Sequence, residues 1–164
     1  MKKLIKMKTI LLTLIASTFL FATFSAQAQT VRNLSEYNLQ NSLGLKGYDP
    51  VSYFPEGGSL PAAGLAEFKL DYLGVTYMFA SQQNMTTFVQ NPAKYEPTYG
   101  GWCAYAMSKG TKIDIQPTIY TISGNRLHFF VSNRAKQNFD VDVNGHEVLA
   151  DQFWKQFSGE EPRL

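Results

Sequence analysis

The sequence predicts a single-domain α+β fold, a small antiparallel sheet built from two hairpins with helices packed on it. Two stretches, residues 67–79 and 119–131, alternate apolar and polar side chains on either side of a glycine turn, as β-hairpins do. Each stretch is followed by a serine and by apolar residues at helical spacing, which predicts a capped helix. The sequence shows no internal repeat.

The first 28 residues have the features of a signal peptide. Four lysines precede an apolar run over residues 10–24, and Ala26-Gln27-Ala28 supplies a small-residue cleavage site. We expect cleavage after Ala28 and a secreted or periplasmic mature chain without stable insertion in a membrane. An uncleaved anchor helix is the alternative. The rest divides into a polar lead-in at residues 29–45 and an α+β domain at residues 46–164.

Charge and cysteine content narrow the classes of partner. Of the 15 basic residues, four lie in the predicted signal peptide, whereas none of the 13 acidic residues does, so the mature chain carries a net charge of −2. A chain without basic excess is not expected to bind nucleic acid or an anionic membrane surface. The single cysteine, Cys103, cannot form an internal disulfide, so it is buried, bound to a ligand or paired between chains.

The predicted domain begins with a turn rich in aromatic residues. Asp49 before Pro50 is typical of a helix N-cap followed by the first helical position, here of a single turn. Tyr48, Tyr53 and Phe54 are expected to cover one side of the core.

The first hairpin is expected to turn at Leu73-Gly74. Phe68, Leu70 and Tyr72 share one face of its first strand, and Val75, Tyr77 and Phe79 share one face of its second. Ser81 then caps a helix through Val89 with Met85, Phe88 and Val89 on its apolar side, and Asn91-Pro92 ends that helix. Met85 is interpreted as a core residue and not as a ligand.

The second hairpin is expected to turn at Ser123-Gly124-Asn125. His128 falls on the polar side of its second strand, where an exposed or pocket-lining ring is expected. A helix then begins at Ser132 or Asn133 and runs to about Phe139. Asn144 and Glu147 form a capping box for a last helix to Phe157. The apolar stripe of this last helix is predicted to contain Leu149, Phe153 and Phe157, flanked by Trp154.

Cys103 lies at a predicted helix start, where its thiol could be reactive. Two prolines and Gly100-Gly101 precede a run of helix formers, which predicts a sharp turn and a helix from about Trp102, with Cys103 in its first turn. The positive end of a helix favours the thiolate, the form that binds metals and attacks electrophiles.

Met107 lies four residues beyond Cys103, so both sulfur atoms share one helical face. A thiolate and a thioether suit Cu(I), with His128 as the first choice for a third ligand and His146 as another. The competing interpretation is a plain core, because cysteine and methionine are often buried. A Cys-His thiol enzyme is a further alternative, but no signature of it is present. The sequence also lacks nucleotide, dinucleotide, zinc-protease and serine-hydrolase motifs.

Several motifs resemble those of exported YHS domain proteins: Gly47-Tyr48-Asp49-Pro50-Val51-Ser52-Tyr53-Phe54, residues 72–81, Phe88, Asn91-Pro92-Ala93-Lys94-Tyr95 and Tyr99-Gly100-Gly101-Trp102-Cys103-Ala104. The resemblance spans about residue 46 to the end. It implies a small α+β module and metal binding. The cysteines usual in metal-binding relatives match Ala80 and Asn84 here, and neither side chain can replace a thiolate.

The resulting hypothesis is a binding module for a soft metal ion, copper among the candidates, or for a small ligand. The metal candidates are Cys103, Met107 and His128. The ligand surface is expected in a cleft between the Gly100-Gly101 turn and the aromatic segment, with these residues: Tyr48, Asp49, Tyr53, Gly100, Gly101, Trp102 and Cys103. A thiol enzyme and a non-catalytic interaction domain with Cys103 in its core are the alternatives.

Overall fold

A computed structural model of the protein describes residues 32–163, so the predicted signal peptide lies outside the described residues. The predicted α+β class is confirmed, but the two hairpins form two separate two-stranded sheets. The strands are β1 (Leu65–Tyr72), β2 (Val75–Phe79), β3 (Gln116–Ser123) and β4 (Arg126–Phe130). The helices are α1 (Gln82–Gln90), α2 (Pro92–Tyr95), α3 (Ala104–Met107), α4 (Asn133–Asp140) and α5 (Val143–Ser158). Over residues 32–163, no helix has both the length and the apolar character needed to cross a membrane.

Local sequence signals explain the hairpins and the helices that follow them. Leu73 and Gly74 have φ angles of 48° and 84°, as a two-residue hairpin turn requires. Ser81 accepts a hydrogen bond from the Asn84 amide, and Ser132 accepts one from the Ala135 amide. The predicted starts of α1 and α4 are therefore confirmed. On α1, Phe88 is fully buried, but Val89 is exposed and lies outside the predicted apolar side.

The fold contains an internal repeat that the sequence analysis missed. Residues 65–96 form a first unit and residues 116–147 a second, each with a hairpin, a serine-capped helix and the start of another helix. The strands of the two units have the same lengths, and both hairpins have a bulge at the same place. Phe79 packs on Phe88 at 5.3 Å between ring centroids, and Phe130 packs on Phe139 at 5.2 Å. Few identical residues mark the repeat, so the shared packing defines it.

The last helix begins and packs differently from the prediction. The Asp142 side chain, and not Asn144, accepts the capping hydrogen bond, which comes from the Gly145 amide. The fully buried stripe of α5 contains Ala150 and Trp154, one helical turn apart. The predicted stripe was therefore displaced by one residue: Leu149 is exposed, and Phe153 and Phe157 are half-buried. Hydrophobicity favoured Leu149 and the two phenylalanines, but the core takes Ala150 and Trp154 instead.

Residues 32–45, which form the described part of the predicted lead-in, pack into the domain. Tyr37 and Leu45 are buried. The Gly44 amide donates to the Thr76 carbonyl at 2.9 Å, and Leu43 forms a parallel bridge to the same residue beside β2. The segment therefore contributes to the core and borders the first hairpin.

Candidate functional site

Cys103 and Met107 lie one helical turn apart in the core. Cys103 is the N-cap of α3, so the helix begins at Ala104, two residues after the predicted start. The Cys103 amide donates to the Ile113 carbonyl at 3.0 Å, and its own carbonyl accepts from the Met107 amide at 2.8 Å. Neither residue has any exposed surface. A short hydrogen-bonded helix thus holds the two sulfur-bearing residues inside the protein.

His128 belongs to the same neighbourhood. Cys103 forms a parallel bridge with Phe129, the next residue along β4, and α3 packs against this strand. The prediction of an exposed or pocket-lining ring is wrong, because His128 is 1% exposed. Both faces of β4 are covered: Tyr53 packs on Phe129, and Phe139 packs on His128.

The two ring nitrogens of His128 have different environments. Nε2 lies 2.7 Å from Oε1 of Glu147, whereas Nδ1 is buried without a hydrogen-bond partner among residues 32–163. Burial lowers the pKa of His128 despite the nearby carboxylate. Burial also raises the pKa of Glu147, but the hydrogen bond with His128 and the charge of Arg126 outweigh this and lower it overall. The expected state is a neutral imidazole that donates from Nε2 to a carboxylate, which leaves a lone pair on Nδ1.

Glu147 is part of a larger group that we call the Glu147 cluster: His128, Glu147, Arg126, Asp151 and Tyr99. Arg126 lies 3.4 Å from Glu147 and also pairs with Asp151, while the Tyr99 hydroxyl donates to Asp151 at 2.8 Å. The sequence predicts a capping-box role for Glu147, because its spacing from Asn144 fits one. The equivalent pair in the first unit, Tyr77 and Glu96, was the signal that could have revealed its role.

Three of the predicted ligand-binding residues face the N-terminal segment. The Gly100 carbonyl accepts from the Asn38 amide, and the Gly101 carbonyl accepts from the Asn38 side chain, both at 2.9 Å. The Trp102 indole donates to the Glu36 carbonyl at 2.6 Å. Residues 36–38 therefore cover the Gly100-Gly101 turn, on a side where the sequence analysis expected an open surface.

Asp49 occupies a second and separate place. Its buried carboxylate accepts hydrogen bonds from the Val51 amide, the Ala80 amide and the Asn84 side chain at 2.8, 2.9 and 2.6 Å. It caps a turn, and no helix forms at Pro50, contrary to the prediction. The resemblance to YHS domain proteins implied cysteines of metal-binding relatives at the positions of Ala80 and Asn84. Because Asn84 donates to Asp49 and Ala80 has no ligand atom, these residues do not fit a metal ion.

The remaining ligand candidates are divided between core and surface. Tyr53 is buried against Phe129, and Tyr48 is half-buried and bridges Ala63. The fold therefore brings Cys103, Met107 and the strand of His128 together, but it separates Asp49 from the Gly100-Gly101 turn. Within residues 32–163, no group of three or more His, Cys, Asp and Glu side chains is arranged to hold a metal. A site at Cys103 would depend on the methionine.

Comparison with protein families gives a match for part of the chain. The family model of the YHS domain matches residues 53–99, which cover the first unit and the segment around it. This segment is similar to the YHS domain. The YHS family is associated with metal binding, and a metal-binding module is consistent with that association. The match covers less than a third of the chain and ends before Cys103 and His128. Neither the comparison with curated proteins nor that with solved structures gave a match.

Proposed function

We propose that this protein is an exported, non-catalytic binding module for a soft metal ion of the Cu(I) class. The ligands are the sulfur atoms of Cys103 and Met107 and Nδ1 of His128. The observation that carries the proposal is the unpartnered Nδ1 of His128, buried on β4, the strand against which α3 packs. Burying a polar atom without a hydrogen-bond partner lowers the stability of the fold by about 1–3 kcal/mol. A ligand bound at Nδ1 would remove this cost.

The first unit supports this interpretation of His128. Tyr77 occupies the equivalent position and donates to Glu96 at 2.9 Å, as His128 does to Glu147. A tyrosine hydroxyl therefore suffices for the structural hydrogen bond. The imidazole offers the same bond and, in addition, a second nitrogen. A carboxylate that holds one ring nitrogen is also the usual arrangement around metal-bound histidine, because it fixes the ring and its tautomer.

The enclosure of the site determines how it would be loaded. Cys103 and Met107 have no exposed surface, so an ion enters only when α3 or its neighbours open, or while the chain folds. The bound ion would join α3 to β4 and stabilise the folded state by mass action. We therefore expect slow uptake by the folded protein and rapid loading during refolding.

Titration with Cu(I) against a competing chelator tests the site, with protein refolded in the presence of the ion. Wild type and the control Met85→Leu, which changes a half-buried methionine of the first unit, should bind more tightly than micromolar. Cys103→Ser and Met107→Leu should bind at least about tenfold more weakly. X-ray absorption should detect sulfur and one imidazole. If Cys103→Ser matches wild type, or if wild type binds no tighter than micromolar, Cys103 is a core residue.

Two other functions make different predictions. A thiol enzyme needs an accessible thiol, so fast alkylation of folded wild type at neutral pH would favour it over metal binding. The absence of exposed surface on Cys103 argues against this alternative. The same burial favours an interaction domain in which Cys103 only packs. Such a domain would bind no metal and would resist alkylation until it unfolds.

A further inference from the structure

Cys103 and Met107 lie in a single loop, residues 100–114, which contains α3 and which we call the α3 loop. Its two stems meet at Cys103, whose amide donates to the Ile113 carbonyl at 3.0 Å. Neither sulfur-bearing residue has any exposed surface, so an ion or a reagent reaches the sulfur atoms only when part of their enclosure opens. Contacts that hold the two stems together oppose such an opening.

Residues 36–38, which we call the clasp, contact both stems of the α3 loop. The Glu36 carbonyl accepts a hydrogen bond from the Trp102 indole at 2.6 Å, and the Glu36 carboxylate lies 2.7 Å from Nζ of Lys112. Trp102 precedes Cys103 in one stem, whereas Lys112 lies in the other. A single residue of the clasp thus spans the loop beside Cys103.

Asn38 spans the two stems a second time. Its Nδ2 donates to the Gly101 carbonyl at 2.9 Å in one stem and to a carboxylate oxygen of Asp114 at 2.8 Å in the other. The Asn38 backbone amide also donates to the Gly100 carbonyl at 2.9 Å. Both bridges come from a part of the chain outside the α3 loop, so their loss would weaken the closure of the loop without changing the loop itself.

The clasp is held mainly by polar contacts. Within residues 32–40, only Tyr37 is buried, where its ring packs on Trp154 at 5.4 Å between centroids. The side chains of Glu36 and Lys112 keep 22% and 30% of their surface exposed, so their ion pair contributes little to stability. A segment with few buried apolar contacts opens at a lower free-energy cost than the whole domain.

α3 depends on the closure of its loop. It has four residues, and a helix of this length is not stable without its tertiary contacts. Cys103 is the N-cap of α3, and its side chain makes no capping hydrogen bond. Separation of the stems at Cys103 would therefore free the end of α3 where the thiol lies.

We propose that the clasp controls access to Cys103. Its release separates the stems of the α3 loop, and this local opening admits a small ion or reagent while the rest of the domain stays folded. Access to the thiol does not depend on what binds there. The use of this opening for Cu(I) uptake, by contrast, rests on the proposed metal site.

Alkylation of Cys103 by N-ethylmaleimide in the folded, metal-free protein measures the opening. Because a local opening exposes little surface, the slow rate of wild type should stay nearly constant at urea concentrations below the unfolding transition. Asn38→Ala removes both side-chain bridges and should raise the rate at least about fivefold. The control Lys46→Met removes another donor to Asp114 but no contact of the clasp, so the rate should stay within about twofold of wild type.

Asn38→Asp keeps the size of the side chain but places a carboxylate beside Asp114, so it should raise the rate further than Asn38→Ala does. If the rates of wild type and both variants rise with urea as steeply as the unfolding constant, Cys103 is reached by global unfolding and the proposal is wrong. Equal effects of Asn38→Ala and Lys46→Met also overturn it.

Cu(I) uptake by the same proteins separates this proposal from the metal site. If both are correct, folded Asn38→Ala takes up Cu(I) faster than wild type by the same factor as it is alkylated. If Asn38→Ala is alkylated faster but neither protein binds Cu(I), the clasp is supported and the metal site is wrong. If Cu(I) binds but both proteins take it up and are alkylated at equal rates, the clasp is wrong and the metal site stands.

Discussion

The two repeated units share one framework, but they satisfy their central carboxylates differently. In the first unit, Glu96 accepts a hydrogen bond from the Tyr77 hydroxyl at 2.9 Å. It also accepts one from each terminal nitrogen of Arg32, both at 2.6 Å. In the second unit, Glu147 pairs with His128 and Arg126. The first arrangement leaves no polar atom of the aromatic residue unused, whereas the second leaves Nδ1 of His128 unpartnered. The exchange of tyrosine for histidine thus gives the second unit a free ring nitrogen that the first unit lacks.

The charge environment of the first unit extends to both ends of the described chain. Glu96 also lies 3.3 Å from Arg163, and Glu160 accepts from the Tyr37 hydroxyl and from the Asn33 amide. These contacts join residues 32–37 to residues 160–163 around the first unit. The Glu147 cluster, by contrast, is built from the second unit, α5 and Tyr99. The first unit is therefore the one fixed by distant parts of the sequence.

The largest expected effects test whether the two units carry equal shares of the core. Phe88→Ala and Phe139→Ala remove equivalent, fully buried rings, and each should lower the free energy of unfolding by about 3–5 kcal/mol. Phe153→Ala, at a half-buried ring on α5, should cost about half as much. Denaturant unfolding measures all three. Losses at Phe88 and Phe139 that differ by more than about 2 kcal/mol would show that the units are not energetically equivalent.

A smaller difference is expected between the two central carboxylates. Glu96→Gln should cost about 3 kcal/mol, because the buried Arg32 loses its carboxylate partner. Glu147→Gln should cost about 1–2 kcal/mol, because Arg126 keeps Asp151. Thermal or denaturant unfolding decides the order. A larger loss at Glu147 would contradict the proposed difference between the clusters.

Asp49 supports the first unit from outside it, through the Ala80 amide and the Asn84 side chain. Asp49→Asn should cost about 2 kcal/mol, since one of the three donors to the carboxylate then faces an amide N–H. Asn84→Ala removes the side-chain donor to Asp49. The double variant Asp49→Asn with Asn84→Ala should lower the free energy of unfolding by less than the sum of the two single losses. Additive losses would show that the hydrogen bond between the two side chains contributes little.

The smallest expected effects come from the equivalent helix caps. Ser81→Ala and Ser132→Ala each remove one hydrogen bond to the first turn of a helix, and each should cost about 1 kcal/mol. Threonine at either position should restore most of the loss. The measurement is denaturant unfolding, and a cap without effect in one unit only would indicate that its helix is fixed by packing.

Local sequence signals predicted the hairpins and helix starts, which depend on residues close together in the chain. Alternating apolar residues with the Leu73-Gly74 turn gave the first hairpin, and Ser81 and Ser132 gave the starts of α1 and α4. Composition and motifs were also enough for the α+β class and for the resemblance to the YHS domain, which the family match bears out over residues 53–99. The sequence likewise singled out Cys103, Met107 and His128 as the residues with suitable chemistry, and their joint use remains a prediction.

Only the tertiary structure decided which side chains meet across long separations. Glu147 has the spacing of a capping residue, yet the approach of α5 to β4 turns it toward His128. His128 alternates like an exposed residue, yet α4 covers its face of the strand. Residues 32–45 are polar with scattered leucines, yet they contribute to the core beside β2. In each case burial was set by a different element of the chain, and hydrophobic periodicity records only the faces of a single element.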